Sequence, residues 1–253
     1  MNLGFGRDLI ERFSRGRVLK RHLPADLGAC PLLVSPDASL RFWKAKIESD
    51  LFDFAREFVR PGSVVWDIGA NVGLFSVAAA QRAGQSGWVI AVEADIWLAG
   101  LLEQSAALQP ATSARICVVP AAASDSISLK EFNIARRGRA SNFLSGTTGS
   151  LQTGGIRCVQ HVVSITPDWL LEQSAAPEVV KIDVEGAELD VLRGGLRVIA
   201  SARPVVLCEV KFHADEVTRI FSELGYSLYD WDAHPRVPVS RACCNTLAVP
   251  TEA

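Results

Sequence analysis

Nothing constrains this chain more than the alternation, from residue 61 onward, of short apolar runs with segments of helical pattern. Neighbouring parallel strands need a crossover between them, so this order predicts a mostly parallel sheet with helices on its faces. SVVWDI (63–68), WVIAVEA (88–94), RICVVPAA (115–122), EVVKID (178–183) and PVVLCEV (204–210) read as buried strands. Helices are expected over 74–83, 95–109, 167–174, from Ala187 onward, and over 213–224. The runs 226–232 and 245–250 close the chain as strands, and weaker strands at 127–133 and 159–165 flank a Gly-, Ser- and Thr-rich stretch. That stretch, 136–155, is expected to be a long flexible loop of the lid or binding kind. Residues 1–60 are expected to form a helical and hairpin extension of the same unit, covering a sheet edge or the substrate side, with 61–253 as the main domain.

A formal net charge of −2 offers no overall attraction to polyanions, so nucleic acid is not expected as a partner. No run approaches the roughly 20 apolar residues that span a bilayer, and the N-terminus lacks the pattern of a secretory signal. A cytoplasmic enzyme is the default expectation. The six cysteines show neither a CxxC pair nor zinc-ligand spacing. Cys117, Cys158 and Cys208 stand in apolar runs, where a thiol is expected to pack as a small hydrophobe. Residues 7–21 carry Arg7, Arg12, Arg15, Arg17, Lys20 and Arg21 against Asp8 and Glu11. Such an arm suits an anionic substrate or peripheral contact with a membrane surface, although a solvated terminus is the plainer expectation.

The chemistry-bearing residues gather at the carboxyl ends of the expected strands, where open parallel sheets bind ligands. In VVWDIGANVG the strand ends at Asp67, and Gly69, Ala70, Asn71 and Gly73 form the turn into a helix. A dinucleotide loop would read GxGxxG, its middle glycine making room for pyrophosphate, but Asn71 stands there. A cofactor without phosphates, such as S-adenosylmethionine, fits better. Asp67 would attract its cationic side, and N–H groups at the helix start its carboxylate. A tight turn with Asp67 as a cap is the bland alternative. Glu93, with Ala94 after it, ends the next strand two dozen positions beyond Gly69, where an acid suits a ribose diol. In AAASDS, Ser124 or Asp125 would border the adenine, with a simple turn equally well supported. Lys181, Asp183, Glu185 and Glu188 crowd the end of another apolar strand, and Glu209 and His213 extend the polar rim on its neighbour. Buried charge needs a partner or a ligand, which marks this cluster as a candidate site. Glu188 equally suits the first turn of the following helix.

DIGANVG, AVEAD, the AAASD turn and above all KIDVEGAELDVLRGG followed by VVLCEV resemble the FkbM family of methyltransferases over roughly residues 50–250. The resemblance implies a class I methyltransferase Rossmann-like fold, with a mostly parallel central sheet, helices on both faces and an antiparallel C-terminal strand. It also implies S-adenosylmethionine as methyl donor and O-methylation of a hydroxyl on a sugar, glycan or secondary metabolite. Asp67, Gly69, Asn71, Gly73 and Glu93 would hold the cofactor, and Asp183, Glu185 and Glu209 would face the methyl group and the acceptor. Asp183 or Glu209 is expected to act as base or acceptor-orienting group, with His213 the weaker candidate. Carboxylates of this kind also suit Mg²⁺, but no metal motif is present and no metal site is expected. Two rivals stand beside this expectation. An NAD(P)-dependent oxidoreductase is weakened by the missing GxGxxG, and a non-catalytic adenosine-cofactor-binding protein by the intact acidic cluster.

Overall fold

The computed structural model describes residues 10–47, 49–147 and 153–251; Arg7 and Asp8 of the basic arm and residues 148–152 of the long loop lie outside them. Residues 10–14 form a helical turn that exposes Ile10 and Phe13. The guanidinium of Arg17 lies 5.8 Å over the exposed ring of Trp43. An antiparallel hairpin follows, β1 (Leu19–His22) against β2 (Pro31–Val34), then helix α1 (Leu51–Phe58). Among the described residues no helix is long and apolar enough to cross a membrane.

Strand β3 (Val64–Ile68), helix α2 (Leu74–Ala83), strand β4 (Trp88–Val92), helix α3 (Ile96–Ala107) and strand β5 (Arg115–Val119) come next. After an insertion, helix α4 (Pro167–Gln173) leads through β10 (Val179–Ile182), α5 (Glu188–Arg193), β11 (Val205–Glu209) and α6 (Ala214–Glu223) to β12 (Tyr226–Asp230), β13 (Val237–Pro238) and β14 (Asn245–Pro250). The main sheet has the order β13-β12-β14-β11-β10-β3-β4-β5, parallel from β11 to β5, with β14 antiparallel beside β11. Both faces are buried, so these strands show apolar runs in place of alternation. Val65, Val89, Val179 and Leu207 pack on the side of α1, α2 and α3, while Trp66, Ile90, Val180 and Val206 pack on the side of α4, α5 and α6. Leu23, Leu27, Leu32 and Phe42 of the N-terminal segment join the first of these cores. The fold is the α/β arrangement expected, with helices on both faces and an antiparallel strand near the C-terminus.

The insertion forms a second sheet, β6 (Ala122–Ala123), β7 (Ser128–Ala135), β8 (Phe143–Leu144) and β9 (Ile156–Ile165), in the order β6-β9-β7-β8. Its inner face carries Phe132, Ile134, Leu144 and Val162. Two expectations are corrected here. Cys158 is exposed on β9, because this sheet buries one face only; Cys208 is buried and Cys117 half-buried, and all six thiols are free. The stretch read as a loop from 136 is anchored through residue 147. Residues 139–141 make a 3₁₀ turn whose Arg139 and Ala140 N–H groups donate to the carbonyls of Asp37 and Ala38, and β8 pairs with β7. Composition misreads this stretch because its partners lie about a hundred residues away.

From β3 the chain runs outward to β4 and β5, then returns to the other flank of β3 at β10. The loops after β3 and β10 therefore part company at the point where strand order reverses, and a crevice opens between them.

Candidate active site

Gly69 (φ 77°), Asn71 (φ 54°) and Gly73 (φ 83°) turn the chain out of β3 in left-handed conformations. The Asn71 side chain accepts from Val72 N at 2.8 Å, which supports the one non-glycine residue among the three. A Cβ on Gly69 would stand 1.8 Å from the carbonyl oxygen of Asp183, so the loops after β3 and β10 touch backbone to backbone. Gly73 serves packing instead: a Cβ there would meet the Leu102 side chain at 2.1 Å, and the residue does not border the crevice.

Glu93 is buried at the end of β4 and accepts from Asn71 N and Asp95 N, each at 2.7 Å. Burial pushes its pKa up to about 7 against the opposing pull of those two N–H groups. Its carboxylate faces a cavity of about 300 Å³, bordered also by Gly69, Ala70, Asn71, Ala94 and Ala121–Ala123. Three sequence candidates stand off this cavity. Asp67 is fully buried beneath it: its Oδ2 accepts from Ser76 Oγ at 2.5 Å, and Lys181 Nζ lies 3.3 Å from Oδ1 as an ion pair without hydrogen-bond geometry. Asp67 thus caps no helix and borders no part of the cavity; it pairs with a buried lysine. Ser124 and Asp125 turn away because Ser124 N donates to the Ile165 carbonyl at 2.9 Å, drawing the chain onto β9. Ser124 Oγ accepts from Lys130 Nζ at 2.8 Å, and Asp125 pairs with the same ammonium at 3.7 Å.

The opposite wall carries the charge. Lys181 Nζ donates to the Gly69 carbonyl at 2.6 Å and lies 3.6 Å from Asp183 Oδ2. Burial opposes its charge, but Asp67 and Asp183 outweigh that and raise its pKa. The carboxylates of Asp183 and Glu209 face each other, with oxygens within 4.8 Å. Burial first, and then the neighbouring Asp183 carboxylate, push the pKa of Glu209 up to about 8. Asp183 is held below the usual carboxylate range: burial pushes it upward, and Lys181 and Glu209 overcome it. Glu185 (φ 56°) is raised by burial, with Lys211 Nζ opposing at 2.5 Å; Lys211 also lies 3.3 Å from Glu209. Carboxylate oxygens of Asp183, Glu185 and Glu209 all lie within 4.8 Å of one another. Glu188 accepts from Gly186 N at 2.9 Å, the helix-start role that its position suggests. His213 is half-exposed, 3.5 Å from Glu216, and borders no part of the cavity, so it is not placed to act as a base there.

Lys181, singled out with the acidic cluster, braces the turn after β3. Three further side chains at or beside the crevice carry weight that the sequence did not assign. Lys211 follows Glu209 at the alternate position of an extended run, which is its signal in the sequence. Arg139 and Arg41 gave none. Arg139 lies 4.7 Å over the Trp97 ring and donates to Asp95 Oδ2 at 2.5 Å and Asp37 Oδ2 at 3.0 Å. Arg157 adds a contact to Asp37 at 3.0 Å, and Asn142 one to Asp95 at 2.8 Å. This network fastens the N-terminal segment and the insertion to the start of α3, where Asp95 caps the helix through Trp97 N and Leu98 N.

Residues 67–228 match the family described as the methyltransferase FkbM domain. A hexuronic acid methyltransferase of Haloferax volcanii, AglP, is 28% identical over 186 residues, which cover 71% of this chain and 70% of that protein. A crystal structure of methyltransferase FkbM from Methylobacillus flagellatus KT aligns with a TM-score of 0.48 at 15% identity over 78% of this chain, which spans only 50% of that one. Fibrillarin of Aeropyrum pernix, solved in complex with natively bound S-adenosyl-L-methionine, aligns with a TM-score of 0.43 at 13% identity over 86% of this chain and 78% of that one.

Proposed function

The chain belongs to the FkbM methyltransferase family, and from that premise we propose that it transfers the methyl group of S-adenosylmethionine to a hydroxyl of a sugar or glycan. The likeness to a relative named for hexuronic acid supports a sugar acceptor. One observation carries the assignment: Glu93 and the Asp183–Glu209 pair, brought by different loops, border one cavity.

The cavity suits this cofactor by the chemistry of its donors. Two backbone N–H groups fix the Glu93 carboxylate and leave lone pairs for the two hydroxyls of a ribose. Gly69, Ala70 and Asn71 offer main chain on one side, and Ala94 with Ala121–Ala123 leave a wall of small side chains for a flat base. Asn71 stands where a dinucleotide loop needs glycine, which disfavours pyrophosphate. Bound here, the cofactor supplies an electrophilic methyl group on a cationic sulfur, which keeps the C–S electron pair as the methyl leaves.

Asp183 takes the proton of the acceptor hydroxyl while that oxygen forms its bond to the methyl carbon. The products are a methyl ether and a protonated carboxyl group. Lys181, 3.6 Å away, favours the ionised form of Asp183 beforehand, and the neighbouring Glu209, with its raised pKa, is the partner that favours the protonated form. Environments that drive two neighbouring carboxyl pKa values apart assign ionised and protonated partners in this way. Alignment of oxygen and methyl supplies the rest of the rate. Lys211 fills the space between Glu185 and Glu209 with an ammonium, so the reading uses no divalent metal.

The test is methyl transfer to candidate sugars followed by mass spectrometry, with S-adenosylhomocysteine titrated calorimetrically. Asp183→Asn is expected to lower turnover by about 10²–10⁴-fold with cofactor affinity kept within threefold. Glu209→Gln is expected to cost less at neutral pH, since an amide resembles the protonated carboxyl group. Full activity in Asp183→Asn would end the assignment of the base, and no affinity for S-adenosylhomocysteine would end the reading itself.

A further inference from the structure

A second cavity, of about 320 Å³, adjoins the first and shares Arg41, Lys181, Asp183 and Glu209 with it. Its remaining wall includes Ser49, Asp50, Trp231 and Asn245, from the N-terminal segment and from the chain around β12 and β14. Its size falls at the low end of the roughly 300–1,000 Å³ that enclose small ligands. Asp183 stands on the boundary. If the cofactor occupies the first cavity, as proposed above, a hydroxyl that gives its proton to Asp183 enters from the second.

The charges around this cavity are uneven in an informative way. Three cations border the two cavities: Arg41, Arg139 and Lys181. Arg139 is paired with Asp37 and Asp95, and Lys181 with Asp67 and Asp183. Arg41 has no carboxylate within ion-pair distance among the described residues; its guanidinium lies 5.3 Å over the ring of Phe42, beside it in the 3₁₀ turn Leu40–Trp43. An exposed guanidinium at the mouth of a cavity keeps its planar fork of donors available, and that fork matches a carboxylate in bidentate fashion. The same cavity holds Asp50 and the ionised Asp183. A dianionic phosphate would meet those acids unfavourably, whereas a single negative charge is matched by the one unpaired cation. Asp50, Ser49 and Asn245 provide polar atoms for neighbouring hydroxyls.

We propose that the second cavity is the acceptor subsite, that it takes a hexose carrying one carboxylate, a uronic sugar, and that Arg41 holds this carboxylate while a ring hydroxyl faces Asp183. The proposal rests on the methyltransferase reading, and the experiment separates the two. Binding of methyl glucuronoside, methyl glucoside and glucose 1-phosphate is measured by calorimetry with S-adenosylhomocysteine already bound, for the wild-type protein, Arg41→Ala and Arg41→Lys. The glucuronoside is expected to bind at least tenfold more tightly than the glucoside. Arg41→Ala should bring the two within twofold, Arg41→Lys should fall between, and an unchanged midpoint of thermal unfolding in both variants shows that they fold. Equal binding of uronate and neutral sugar, strongest binding of the phosphate, or a preference that survives in Arg41→Ala would overturn the proposal. Failure of S-adenosylhomocysteine to bind the wild-type protein would bring down the methyltransferase reading, and this subsite with it.

Discussion

Beside the wall of Lys181, Asp183 and Glu209, the crevice has two further sides, and these are built by different means. On the Glu93 side, the ligand-facing groups come from one short stretch: the Asn71 N–H that fixes Glu93 is 22 residues away, and Gly69 and Asn71 set the turn by backbone conformation. On the insertion side, Asp37 and Arg139 meet across 102 residues and Asp37 and Arg157 across 120. The first wall is specified by main chain, with little freedom for change. The second is assembled from charged side chains carried by separate segments, where substitution alters shape and charge without touching the central sheet.

Three perturbations bear on that contrast. The largest effect is expected from Gly69→Ala. The new Cβ would stand 1.8 Å from the Asp183 carbonyl at a φ of +77°, a clash expected to lower stability by at least about 3 kcal/mol and to remove cofactor binding. Thermal unfolding and titration with S-adenosylhomocysteine read both; retained binding would show that the main-chain contact is looser than described. Arg139→Met comes next. It leaves Asp37 and Asp95 short of a buried partner, a loss of about 3–5 kcal/mol when a buried pair is broken. Hydrogen exchange should quicken first in β7, β8 and the segment around residue 37, and last in β3 and β4. Uniform acceleration would erase the distinction between the walls.

The smallest effect is a pH dependence centred on Glu93. Its pKa in the folded chain is raised to about 7, so the native state keeps a proton that the unfolded chain loses above about 4.3. The sign follows from linkage: this group's stabilising contribution is full below the unfolded value and is lost as pH rises through about 7. Affinity for S-adenosylhomocysteine should run the other way, weakening several-fold as pH falls below 7 and the carboxylate that receives the ribose hydroxyls is protonated. Glu93→Gln should flatten both slopes, and a pH-independent affinity in the wild-type protein would remove Glu93 from the cofactor's contacts.

The legibility of the sequence divides along the same line. The strands β3, β4, β10 and β11 stood out because both of their faces are buried, and Glu93 because its place relative to the glycine turn follows from strand length. Asp67 was misplaced for a reason the sequence hides: a strand-end acid serves a ligand or an internal cation according to what the neighbouring strand brings, and here β10 brings Lys181 into register with it. Ser124 and Asp125 were misplaced because their direction depends on β6 pairing with β9, a contact across some forty residues. Arg139 and Arg41 were invisible because the residues that pair with one, and those that leave the other unpaired, lie far along the chain.

The meeting of Gly69 with the Asp183 carbonyl also bears on redesign. Lengthening or shortening the turn after β10 would drive one backbone into the other, so the register of the reacting groups is set before any acceptor arrives. A changed acceptor preference is therefore best sought through side chains at the outer rim, Arg41 foremost, with the floor of the crevice treated as fixed masonry.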